Sequence, residues 1–106
     1  MRALAVATLK RSPVAPELPT IDEAGVPGYE ITAWGGYSFP ARTPRGLVLR
    51  LNAEINKALS SPSVSKSIAD RGSTAIGGTP EQFAEHLRRE TEKWGKVIKA
   101  AGIKPQ

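Results

Sequence analysis

Side chains capable of chemistry are few in this chain and do not converge. His86 is the one histidine. A lone imidazole makes no metal site, and no serine or carboxylate constellation surrounds it that would mark catalysis. It reads as an exposed residue of a helix. Glu81, Glu85, Glu90 and Glu92 crowd the same stretch, where capping and ion pairing explain them better than acid–base work. Gly77-Gly78-Thr79-Pro80 resembles a phosphate loop only superficially, because the Gly-Lys-Ser/Thr ending is absent. Cysteine is absent, which excludes disulfides, thiol nucleophiles and Cys-type zinc sites. The residues therefore assign no catalytic group, no metal and no cofactor.

Binding is a better fit to what remains. Carboxylates are held by backbone N–H groups and by arginine. Thr8, at the end of an apolar run, and Trp34-Gly35-Gly36, inside an aromatic one, are the positions placed nearest a cleft. Glycine at 35 would let a ligand or another backbone approach closely. The competing reading is structural, with Trp34 filling a core and Gly35-Gly36 forming a bulge.

The elements that must position these residues follow from pattern. Residues 3–8 are apolar throughout, as in a buried strand. Lys10 to Pro19 carries three prolines and reads as an extended loop. Thr20 and Glu23 form a capping box for a short helix that Gly25 stops. Val26-Pro27-Gly28 is turn chemistry, and Tyr29 to Phe39 reads as a strand. Thr43 as N-cap and Pro44 at the first helical position open a helix with a Leu47, Leu51, Ile55, Leu59 stripe. Ser60-Ser61-Pro62 ends it. A weaker helix spans 63–71 and stops at Gly72, and 73–77 is a short strand candidate. Thr79, Pro80 and Gln82 cap a long helix to about Ala101. Glu85–Arg89 and Glu92–Lys96 are its expected i,i+4 pairs.

The chain has 106 residues, 40% hydrophobic, with six aromatics. It is read as a single, partial domain over 1–106. Such a mass buries about 65% of its unfolded surface when compact, so the core is expected from Leu, Ile, Val and Ala. No apolar run spans a membrane. Met1 to Ala7 only faintly suggests a signal peptide, since Lys10-Arg11 ends the run. The net charge of +5 is scattered, without the dense basic run of a nucleic-acid binder. No nucleic-acid partner is expected.

The order of these pieces resembles one family. Ala3-Leu4-Ala5-Val6 and Arg11-Ser12 come first, then Pro19-Thr20, Glu23-Ala24-Gly25 and Pro27-Gly28-Tyr29-Glu30. Trp34-Gly35-Gly36, Pro40 and Thr43-Pro44 follow. Leu51 to Ile55, Ala58-Leu59, Pro62, Gly72, Thr79 to Phe83 and Glu90 to Trp94 complete the pattern. It is similar to the substrate-binding receptors of tripartite tricarboxylate transporters, the Bug-type periplasmic binding proteins. The likeness runs along nearly the whole chain but matches only the C-terminal third of a receptor.

The resemblance implies an α/β fold, the closing portion of a clam-like, type II periplasmic binding protein. It implies few strands, flanking helices and a long C-terminal helix. It also implies a periplasmic receptor that catalyses nothing, captures a small carboxylate or related metabolite and delivers it to membrane subunits of the transporter. The family's Gly-rich ligand loops lie outside this sequence. An interaction or scaffold domain that keeps the fold without ligand binding is the alternative. Unpaired strand edges would also favour a homodimer or a strand-exchanged oligomer.

Overall fold

Among the described residues three helices form, where the sequence carries helical stripes and caps. They are α1 (Arg45–Leu59), α2 (Pro62–Ala69) and α3 (Pro80–Ala100). The computed structural model describes residues 2–104. Two compact units divide the chain, one ending at Ser38 and the next beginning at Phe39. All three helices lie in the second.

The start of α3 follows its sequence signature closely. Thr79 Oγ1 accepts from the Gln82 N–H at 3.1 Å, and Gln82 Oε1 accepts from the Thr79 N–H at 2.9 Å. Both donors belong to the orphan set that every helix start leaves. At its other end Gly102 takes φ +65°, a left-handed value that suits glycine. The ion pairs differ from expectation. Arg88, rather than Arg89 or Lys96, bridges Glu85 and Glu92, each at 2.6 Å. One guanidinium carries enough donors to serve carboxylates a turn away on either side.

At α1 the cap is displaced. Pro44 occupies the N-cap position, without a side-chain cap bond. The Thr43 hydroxyl donates instead to the Pro40 carbonyl at 2.8 Å, closing the preceding turn. The α2 helix starts one residue early, with Pro62 in its first turn.

Among its described residues the first unit contains the predicted capping box but no helix. The Glu23 N–H donates to Thr20 Oγ1 at 3.0 Å, and the Thr20 N–H donates to Glu23 Oε2 at 3.3 Å. Gly25, at φ +116°, ends the turn before a helical ladder develops. So short a segment gains too few hydrogen bonds to offset nucleation.

The strand expectations fail in form among the described residues. Residues 3–8 make one parallel bridge, Val6 to Thr20. Residues 29–39 and 73–77 form no ladder. A strand exists only with a partner that takes its N–H and C=O groups, and the described residues supply one isolated bridge. The expected aliphatic core is missing for the same reason. No hydrophobic residue among those described is buried; Thr20 alone is, with no accessible surface.

Within the second unit, polar side chains tie α1 to α3. Asn52 Nδ2 donates to the Gly78 carbonyl at 2.9 Å, and Asn56 Nδ2 donates to the same oxygen at 2.8 Å. Asn56 Oδ1 accepts the Gly78 N–H at 2.9 Å. Arg45 in the first turn of α1 pairs with Glu81 in the first turn of α3.

Candidate functional site

The sequence places its candidate binding residues in the first unit, where backbone rungs set the frame. The Val6 N–H donates to Pro19 O and the Ile21 N–H donates to Val6 O, both at 2.9 Å. On the other side the Ile31 N–H donates to Ala7 O at 2.9 Å. Residues 6–7 are thus the middle of three aligned segments. Thr8 follows this rung on one segment, and Trp34 lies three residues past it on another. The structure brings their segments alongside at that rung.

Thr8 is half-buried, and its hydroxyl donates to the Lys10 carbonyl at 2.6 Å. That bond bends residues 7–10 back on themselves, so an incoming carboxylate meets the Thr8 hydroxyl only if it rotates away from Lys10. Trp34 is 43% exposed, which argues against the reading that it fills a core within this chain. Gly35 and Gly36 are exposed. A Cβ added to Gly35 would meet nothing within 4 Å, so no contact inside the chain requires glycine there.

Below this frame lies a polar lock that sequence reasoning saw only in part. Arg11 Nε donates to Glu23 Oε2 at 2.9 Å, and the same carboxylate oxygen accepts the Thr20 N–H. The Arg11 guanidinium, with help from the Thr20 amide, holds the Glu23 carboxyl below its ordinary value. Arg11 is therefore committed to Glu23, and the exposed Lys10 is the cation beside Thr8 that carries no such tie. The Thr20–Glu23 spacing announced the cap; nothing local announced that Arg11, 12 residues before Glu23, would join it.

His86 is half-buried rather than exposed. No group of three or more metal-ligating side chains occurs among the described residues. The Gly78 N–H is used by Asn56 and the Thr79 N–H by Gln82, so this loop does not present the open amides a phosphate cradle needs. Glu90 and Trp94 are tied to each other, the indole N–H donating to Glu90 Oε2 at 2.8 Å. Lys93 pairs with Glu90 at 3.0 Å and sits 5.5 Å from the Trp94 ring centre.

A family model described as the tripartite tricarboxylate transporter family receptor matches residues 1–103. The chain belongs to that family, and its Bug-type character is borne out by named relatives. It is 48% identical over 99 residues to a UPF0065 protein of a Pseudomonas species encoded in the tcbD-tcbE intergenic region, covering 92% of this chain and 30% of that protein. It is 33% identical over 104 residues to protein BugT of Bordetella pertussis, covering 98% and 32%.

Solved structures agree. The R. palustris protein Rpa4515, solved with adipate, superposes with a TM-score of 0.82 at 42% identity, covering 99% of this chain and 35% of that one. The periplasmic binding protein BugD gives 0.80 at 31% identity, covering 96% and 35%. The fold is thus a partial α/β periplasmic-binding-protein fold, and the chain spans about a third of the length of these relatives. No helix among the described residues is long and apolar enough to cross a membrane.

Proposed function

We propose that this chain contributes to a periplasmic receptor that captures a small carboxylate and passes it to the membrane subunits of a tripartite transporter. In this reading residues 1–106 form part of one solute-binding domain and catalyse nothing. The observation that carries it is the match to Rpa4515 with adipate, at 42% identity over 99% of this chain. Thr8, Trp34, Gly35 and Gly36 contribute to the ligand surface. Trp34 offers an apolar ring for the methylene chain of a dicarboxylate, Gly35 and Gly36 allow its close approach, and Thr8 with its neighbouring amides meets a carboxylate end.

A chimera tests this directly. The residues of Rpa4515 that this chain matches are replaced by the chain's own, and the product is melted against di- and tricarboxylates, amino acids and aromatic acids. A ligand that binds only the folded state raises the Tm by mass action. A selective rise with one carboxylate class, reduced by Trp34→Ala and Gly35→Leu, supports the reading. A cooperative melt that no carboxylate shifts rejects it and favours a scaffold that has kept the fold without the site.

A further inference from the structure

The net charge of +5 is scattered along the sequence, yet the two compact units divide it unequally. The unit ending at Ser38 carries three Lys and Arg against four Asp and Glu, a net charge of −1. The unit beginning at Phe39 carries twelve against six, a net charge of +6.

Ion pairing inside the second unit leaves that excess standing. Four of its cations hold five of its six carboxylates: Arg45 with Glu81, Lys66 with Asp70, Arg88 with Glu85 and Glu92, and Lys93 with Glu90. The other eight cations pair with no described carboxylate. Three of the eight share a face of α3. Arg89, Lys96 and Lys99 are exposed, and helical geometry sets them within about 80° of each other along about 15 Å of axis. The half-buried Trp94 lies about 140° round the helix from Arg89, so the three are turned away from the packed side. Glu85 and Glu92 fall on the same face, each fixed to Arg88 at 2.6 Å. Lys99, in the last turn, also meets the negative end of the helix dipole, but that attraction fades within a turn and explains neither Arg89 nor Lys96.

We propose that the Arg89, Lys96 and Lys99 face of α3 docks an acidic polypeptide surface, one that sets carboxylates opposite these three cations and none opposite the Glu85–Arg88–Glu92 group. Charge complementarity selects that partner. The face is mixed in sign, with two fixed carboxylates among its free cations. Lipid headgroups and nucleic-acid backbones present unbroken negative charge, which Glu85 and Glu92 repel. A polypeptide can space its carboxylates to avoid them, and such matching gives register and fast encounter. The contact uses charged side chains that the helix already turns to solvent, and it asks for no strand or apolar surface from the partner.

A chemical-shift titration of this chain at low salt tests the proposal. The probe is an alanine-rich helical peptide carrying glutamates at i, i+7 and i+10, the spacing of residues 89, 96 and 99. Saturable shifts in α3 are expected. The triple variant Arg89→Gln, Lys96→Gln and Lys99→Gln is expected to raise the Kd at least about tenfold. Glutamine keeps the helix propensity, and circular dichroism confirms the helix content. Arg42→Gln, Lys57→Gln and Arg71→Gln together remove the same charge elsewhere in the second unit and should leave the Kd within about threefold. Raising the salt to about 0.5 M should erase the difference. Equal loss in the two triple variants would show attraction by net charge alone and overturn the proposal. Absence of binding overturns it too, as does tighter binding to phosphatidylglycerol vesicles or to duplex DNA at the same salt. Adipate has no part in the readout, so the proposal and the receptor reading can each fail without the other.

Discussion

The side-chain amide of Asn56 holds the backbone of Gly78 at both of its polar groups, Oδ1 accepting its N–H at 2.9 Å and Nδ2 donating to its carbonyl at 2.8 Å. The pairing copies one rung of a β-ladder with a side chain in place of a strand. It fixes the approach to α3 against the flank of α1, with Asn52 adding a second donor to the same carbonyl. Replacing Asn56 with Ala removes both bonds; the Gly78 carbonyl keeps its Asn52 donor, but the half-buried Gly78 N–H is left unsatisfied, at about 1–3 kcal/mol. Asn52→Ala leaves the Gly78 carbonyl with its Asn56 donor and costs about 1 kcal/mol or less. Urea midpoints of the two variants check the order.

Glycine substitutions separate backbone need from open space. Gly78 has φ +116°, and a Cβ there would lie 2.6 Å from Gln82 Oε1. That oxygen is engaged in the α3 capping box and yields only by breaking it. Gly78→Ala is expected to cost about 2–3 kcal/mol through strain and cap loss. Gly35→Ala meets nothing within 4 Å and stays within about 0.5 kcal/mol of the parent. Paired melts measure both.

Two threonines that look alike in sequence should behave differently. Thr79 is a working N-cap, and Thr79→Ala is expected to cost about 1 kcal/mol with loss of helical circular dichroism from α3. Thr43 caps no helix, so Thr43→Ala loses one local hydroxyl bond and leaves helix content unchanged.

The Arg11–Glu23–Thr20 lock makes part of the stability acid-sensitive. The folded carboxyl of Glu23 lies below its ordinary value, chiefly because the Arg11 guanidinium bonds it. The stabilisation is therefore complete above the unfolded value and disappears as the pH falls through the lowered folded one. Stability should decline with acid below about pH 4.5, less steeply in Glu23→Gln. Because Arg11 and Glu23 are both about half exposed, added salt should shrink the difference. Denaturant titrations across pH 2–6 read the effect.

The helices were legible because their information is local. Thr79-Pro80-Glu81-Gln82 specifies a start within one turn, and the Leu47 to Leu59 spacing specifies a face. Strands were legible only as composition, since a ladder depends on segments far away in the sequence, and 29–39 and 73–77 form none among the described residues. The Asn56–Gly78 lock spans 22 residues, and no periodicity predicts it. Of the candidate site, the residue types and the common segment order were legible. The Ile31–Ala7 rung places the Trp34 segment beside that of Thr8, and no local pattern announces it. The burial of Thr20 had no signal beyond its role as a cap.

Calorimetric titration of adipate into the chimera of this chain with Rpa4515 is the most direct test of the central claim. Saturable heat is expected, with a Kd within about tenfold of Rpa4515 itself and weakened by Gly35→Leu. A folded chimera that gives no saturable heat with adipate or any other small carboxylate would contradict carboxylate capture by this chain's residues.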